Sequence, residues 1–511
     1  MGVNTIMKTL KLSNASVNEN ISKWIEQDII VPDTKPDAIK IVNVTVTPYV
    51  DDVEVIKDKI KVSGSINYFI IYQVDEPNLN NRGLFCSYDY SEVLDIKDVD
   101  SNMEYEINPI CKNTIYSLPN ERKISVKSEI LFKVKVNKIA QVPLINKFDT
   151  ESNIECKMCK SEFCNIIQNK KSIIASKEDF MLPKEAEDFY ELLNVETRIV
   201  NTEFKESYNK IMIKGDLDIK MIYLSESQEE NVKKINYTLP FSSMIELENI
   251  NENSRFDIKY AIQNFDIRLN PDITTTKTMN VDYRIEVNVK MYENEEVEYV
   301  EDFYSQDKEL RFNSNNIFAV KKSMNLSKTI DVKENVTNIV PENTKLVDYK
   351  LDTSNINATL SNNLVKLEGQ AKVILLLQDM SNFNLETKVV ELMISENFNI
   401  ENMPSSENYY IDIVGKNINI VQSGQDLEIK IQLKIDTNIE DISNLNIVED
   451  IIDEDLDITN LDSINIYVVK SGDTLWSIAK KYKTSVEKII KTNEIVEPDV
   501  IDIGQKILVI R

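Results

Sequence analysis

Over most of this chain apolar residues fall on every second position. Ile124, Val126, Ile130, Phe132, Val134 and Val136 form one such run, and Ile211, Ile213, Leu217 and Ile219 another. Val281, Tyr283, Ile285, Val287 and Val289 repeat the pattern, as do Leu427, Ile429, Ile431, Leu433 and Ile435. A period of two with Lys, Asn and acidic residues between predicts antiparallel strands with one dry and one wet face. The period changes only near the end. Between Tyr467, Val469 and Ile507, Val509, the residues Leu475, Ile478, Ala479 and Tyr482 take helical spacing after Asp473-Thr474, where either side chain can cap a helix. A second helix is predicted from Ser485, with Glu487 in its first turn and Val486, Ile489 and Ile490 buried. The order there is strand, helix, helix, strand.

The strand-rich part repeats itself. Shifted by 151 residues, Asn43-Val44 falls on Asn194-Val195, Lys59-Ile60 on Lys210-Ile211, Gly64 on Gly215 and Ile71-Tyr72 on Ile222-Tyr223. At a shift of 305, Val42 meets Val347 and Gly64 meets Gly369. Three copies follow, each expected as a β-sandwich of about 110 residues. The expected units are an N-terminal segment 1–27, repeats at 28–138, 177–293 and 326–438, and a terminal module at 464–511. Linkers are expected at about 137–176, 294–325 and 439–463. The last carries Glu449, Asp450, Asp453, Glu454, Asp455, Asp457 and Asp462, a run whose self-repulsion predicts an extended tether and an independently searching module.

Charge and composition narrow the function. The formal charge of −26 excludes nucleic acid as a natural partner. From Tyr467 onward 8 Lys+Arg face 6 Asp+Glu, so a slightly basic module ends an acidic body. No signal-like apolar run occupies residues 1–27, and no stretch approaches the eighteen or so apolar residues of a membrane span, so a cytosolic protein is expected. There is no histidine, which removes the usual general base and the commonest metal ligand. No Gly-rich phosphate loop or Gly-x-Ser-x-Gly elbow is present, and with 85 acids a carboxylate pair arises by chance, so no enzyme and no cofactor are expected. Cys156, Cys159 and Cys164 could offer three thiolates to zinc, but the fourth ligand would have to come from Cys86 or Cys111, so free thiols and no metal are the expectation.

The terminal segment, with Gly472-Asp473-Thr474-Leu475-Trp476 after its first strand, Asn493, Pro498 and Gly504 in place, resembles a LysM domain over its whole length. That resemblance implies a ligand groove between two loops. One holds Gly472, Asp473, Thr474, Leu475 and Trp476, and the other Ile495, Pro498, Asp499, Val500 and Ile501, with basic Lys470, Lys480 and Lys481 beside them. The usual ligand of the family is an N-acetylated glycan such as peptidoglycan or chitin. Trp476 has two readings, buried or contact-making. Its place about 100° around the helix from Leu475 favours contact-making.

The opening Ile30-Val31-Pro32-Asp33-Thr34-Lys35-Pro36-Asp37, with Lys61-Val62-Ser63-Gly64 and Tyr72, resembles the SPOCS domain of spore-coat and spore-morphogenesis proteins. The second copy keeps Leu182-Pro183-Lys184-Glu185, and the third lacks the Pro-Asp opening. Three such copies followed by one LysM domain are similar to the plan of SipL-like clostridial morphogenetic proteins. The resemblance implies a non-enzymatic adaptor in the mother-cell cytoplasm, at the forespore surface and spore coat. Its LysM groove would grip the coat basement-layer ATPase SpoIVA, and its SPOCS copies would add contacts to other coat proteins. The alternative is a cell-wall protein that keeps the glycan ligand.

Overall fold

The computed structural model describes residues 5–13, 17–75, 80–148, 153–181, 187, 189–225, 232–269, 278–401, 403, 408–456, 463–498 and 500–511. The described chain is mainly β, with two short helices confined to its C-terminal end.

In the first repeat β1 (Thr5–Ser13) and β2 (Val17–Ile30) lead to β3 (Lys40–Pro48), β4 (Asp52–Ile56), β5 (Lys59–Gln73) and β6 (Asn81–Asp95), and then to β7 (Glu104–Asn120), β8 (Lys123–Asn137) and β9 (Ile139–Phe148). β5 is the centre of one antiparallel sheet with β3, β4 and β6, and β8 the centre of another with β2 and β7. Their inner faces meet through Ile60, Val62, Tyr68, Ile70 and Tyr72 on one side and Ile124, Val126, Ile130, Phe132 and Val134 on the other. These are the alternating positions of the sequence, and burying them makes the expected sandwich.

The second repeat contains β10 (Ile154–Met181), β11 (Phe189–Ser207), β12 (Lys210–Ser225), β13 (Val232–Glu246), β14 (Ser254–Leu269) and β15 (Thr278–Ser305). The third contains β16 (Lys308–Val336), β17 (Thr344–Ser361), β18 (Leu364–Asp379), β19 (Leu385–Asn399), β20 (Asn408–Ser423) and β21 (Asp426–Asp455). Their sheets run β11-β12-β13 with β10-β15-β14, and β17-β18-β19 with β16-β21-β20. Gly64 lies where a Cβ would come within 2.0 Å of the Tyr49 carbonyl oxygen, and Gly369 within 2.1 Å of that of Asn355, so the close backbone approach in both repeats requires glycine.

The three sandwiches close into a ring. The β5–β6 end of the first meets β11 of the second, where Lys35 pairs with Glu191 and the Arg82 guanidinium stands 5.3 Å from the Tyr190 ring centroid. The Pro-Asp opening is shaped for this contact: Arg122 donates to the carbonyls of Pro32 and Lys35 and pairs with Asp37, presenting Lys35 outward. From β12 and β13 of the second repeat, Lys220 and Lys234 reach Asp348 of the third at 2.9 and 2.7 Å. The third returns to the first through Gln73 Nε2 to the Leu385 carbonyl at 3.0 Å and Asn81 Nδ2 to that of Phe383 at 2.8 Å. On the pseudo-threefold axis Val42, Leu193 and Val347 meet Ile71, Ile222 and Leu376. These are the residues superposed by shifts of 151 and 305. The register of each first head strand skips there, between Ile41 and Asn43, Leu192 and Asn194, and Leu346 and Asp348. Each bulge turns one extra apolar side chain to the axis.

The expected linkers are strands. β1 pairs with β9, the first half of β10 with the second half of β15, and the first half of β16 with the second half of β21. These three ribbons pack into a stalk beneath the ring. Leu10, Leu12, Val142, Leu144, Phe163, Val297, Ala319, Leu445 and Ile447 fill its interior. Ile145, Phe148, Val300, Phe303, Leu310, Val448 and Ile451 continue it toward the tip. At about 3.3 Å per residue the ribbons extend roughly 30 Å beyond the sandwiches. The correction applies to the N-terminal segment 1–27, whose described part is β1 and most of β2, and to the segments 137–176, 294–325 and 439–463. The acidic run is a paired strand as far as Asp455, because Lys308 and Arg311 opposite it neutralise Asp453 and Glu454. Residues 457–462 lie outside the described residues, as does Leu182-Pro183-Lys184-Glu185.

Candidate functional site

The C-terminal module has the expected order: β22 (Ile464–Val468), α1 (Leu475–Tyr482), α2 (Val486–Asn493) and β23 (Lys506–Ile510). Val469, Leu475, Ile478, Ala479, Ile489, Ile507 and Val509 form its core. Of the two capping candidates Thr474 takes the role. Its hydroxyl accepts from the Ser477 backbone N–H, while the Ser477 hydroxyl accepts from Thr474 N–H. Asp473 turns back instead, accepting from Lys470 N–H at 2.7 Å and the Tyr467 hydroxyl at 2.8 Å. These two bonds, the backbone one foremost, hold its carboxyl below the usual range. Ser485 caps α2. Gly472 and Gly504 turn the chain at φ of +87° and +89°. Thr474→Ala is expected to cost about 1 kcal/mol by removing the cap, read as a lower melting temperature for the module's amide signals.

The structure sorts the sequence-derived groove residues. Leu475 is core; Gly472, Pro498 and Val500 are exposed; Ile495 and Ile501 are half-buried against the core. Asp499 lies outside the described residues. Lys481 sits over the Tyr467 ring, 5.0 Å from its centroid. Lys470 is exposed beside Asp473.

Trp476 and Lys480 turn to the stalk tip. The Trp476 indole N–H donates to Asp302 at 2.7 Å, and its ring meets Tyr304 edge-on with centroids 5.0 Å apart. Lys480 pairs with the other Asp302 oxygen. The Tyr304 hydroxyl donates to the Thr484 carbonyl at 2.7 Å, Lys483 pairs with Glu309 at 3.0 Å, and Arg511 donates to the Gln306 carbonyl at 3.3 Å. Burial alone would raise the Asp302 pKa, but the bonds from Lys480 and Trp476 outweigh it and hold the carboxyl low. The acidic surface met by this basic module is therefore its own stalk, and the freely searching module expected from the tether is seated instead.

Two features escaped the sequence reading. Asp302, Tyr304 and Glu309 stood in a supposed linker and carried no signal of their own. The other is the outer face of the small sheet, where Ile464, Ile466 and Val468 are 65%, 69% and 47% exposed opposite Ile510, Leu508 and Lys506. Apolar residues in both phases of one short strand were the available sign.

The three cysteines do not converge. All lie on β10, and eight residues of strand separate Cys156 from Cys164 by about 27 Å. Among the described residues no cluster of three Cys, Asp or Glu is arranged to hold a metal.

Residues 467–509 match the family model of the LysM domain, and residues 37–118 and 188–270 match that described as SipL, SPOCS domain. The chain joins SPOCS domains to a LysM domain. The two SPOCS segments cover β3 to β7 of the first repeat and β11 to β14 of the second, leaving the stalk strands outside. A cortical fragment-lytic enzyme of Bacillus subtilis (strain 168) is 50% identical over 46 residues, a match spanning 9% of this chain and 11% of that enzyme. The likeness is thus LysM-sized, and the chain covers about a tenth of the relative's length. No solved structure matches. No helix among the described residues is long and apolar enough to cross a membrane.

Proposed function

We propose that this protein is a non-enzymatic adaptor of spore-coat morphogenesis, and that its LysM domain captures a protein, the coat basement-layer ATPase SpoIVA. The carrying observation is the outer sheet face of the LysM domain. Ile464, Ile466 and Val468 stay open there while the opposite side of the domain is seated on the stalk. An exposed apolar strip of this kind suits a protein surface better than a sugar, whose recognition needs convergent polar groups. The SPOCS repeats would serve as the rigid mount and offer further surface to other coat proteins, with the forespore surface and coat as the site of action. A second reading, glycan binding, is favoured by the LysM-sized likeness to a cortical fragment-lytic enzyme and by the loop at Gly472–Thr474, which turns at Gly472 and caps the first helix at Thr474.

The test is a two-armed capture with the full chain, offering purified ATPase in one arm and peptidoglycan in the other. ATPase capture is expected, and Ile466→Asp should weaken it by about tenfold or more with an unchanged melting temperature. Retention on peptidoglycan with no ATPase capture would establish the glycan reading instead.

A further inference from the structure

The same face of α1 that the sequence assigns to ligand contact is the face that holds the LysM domain to the stalk. Trp476 and Lys480 converge on one carboxylate, Asp302, and Trp476 rests on Tyr304, which is 2% exposed and belongs to the domain's own core cluster. Thr484 with the Tyr304 hydroxyl and Lys483 with Glu309 close the seat from the α1–α2 connection, and Arg511 adds a bond to the Gln306 carbonyl from the end of the second strand. While Asp302 accepts from both, the single indole N–H is spent and the ammonium is held at the stalk tip.

We infer that the stalk tip is a built-in competitor for the LysM domain: Asp302 and Tyr304 withhold Trp476 and Lys480 until the domain lifts off. A ligand that uses Trp476 binds only the lifted form, and its apparent affinity falls by the fraction of molecules lifted. A ligand that uses only the outer sheet face binds both forms equally and leaves the seat closed. The inference deepens the adaptor reading, since it assigns a regulated and an unregulated face to the same domain, and it rests on that reading only for the identity of the ligand.

The test separates the two. The chain has two tryptophans, so Trp24→Phe leaves Trp476 as the sole reporter. In that full-length background, acrylamide should quench Trp476 poorly. Asp302→Ala should raise quenching severalfold, as should Glu309→Lys, which sets like charges against Lys483 at the exposed tip. Unchanged quenching in both variants would overturn the inference, whatever the ligand. With quenching raised, N-acetylglucosamine oligomers and the purified ATPase are titrated onto each form, and whichever uses Trp476 should bind the opened variants about tenfold more tightly. Equal affinity of both probes for closed and opened forms would also overturn it. If neither probe binds any form, the adaptor and glycan readings fail, while the quenching result still decides the seat.

Discussion

Phe163→Ala is expected to lower the stability of the full chain by about 4 kcal/mol, the cost of emptying a buried aromatic site. Phe163 is fully buried in the stalk interior, 5.8 Å between ring centroids from Tyr299, with Leu10, Leu144, Val297 and Leu445 from the three ribbons around it. Its replacement opens a cavity that no single ribbon can close, because each is fixed at its upper end by a sandwich. Phe318→Ala, on the outside of the same stalk and 56% exposed, should change stability by under about 1 kcal/mol. Thermal melting of both variants checks the pair. A linker in this position would make the two substitutions equally silent.

The second large effect is expected at the joint between repeats two and three. Asp348 is 4% exposed and receives both Lys220 and Lys234, while Lys220 also pairs with Glu196. Burial alone would lower the Lys220 pKa, but Glu196 and Asp348 outweigh it and hold the ammonium charged. Asp348→Ala leaves two lysines short of their shared partner in a half-dry joint and should cost about 3 kcal/mol, read by denaturant melting and by faster proteolysis at the joint. Asn43 and Asn194 occupy the same position in the other repeats. The Asn194 side-chain oxygen has no hydrogen-bond partner among the described residues, so Asn194→Ala should be nearly neutral. The contrast follows from one charge placed on one of three equivalent bulges.

The ring was legible in the sequence because the residues that meet on its axis are those the repeat shifts superpose, as Val42, Leu193 and Val347 illustrate. The sandwich cores were legible because one face of each central strand is apolar over most of its length, broken only briefly, as at Ser128 and Gly64. The stalk was not. Its period of two is broken by bulges at Asn146, Glu301 and Glu449, where the register of all three ribbons skips. Its solvent faces are dense with charge, and the partner of β1 lies more than a hundred residues away. Composition alone then reads as a linker. The LysM domain was legible down to its caps, since α1 and α2 are set by local chemistry at Thr474 and Ser485. Its seat was not, because Asp302 and Tyr304 gain meaning only once the stalk brings them to the tip.

A ring built from three copies on one chain differs from a trimer of separate chains in what it can vary. Three identical subunits would repeat every surface feature three times and carry three terminal domains. Here each lobe diverges independently: where the second repeat exposes Met212 opposite Met244, the other two hold Lys61 and Lys366 in the place of Met212. A single LysM domain stands at the foot of the assembly, so the molecule is a symmetric mount with one tool. In the proposed adaptor role each chain therefore presents one LysM domain in one direction, whatever the number of lobes above it.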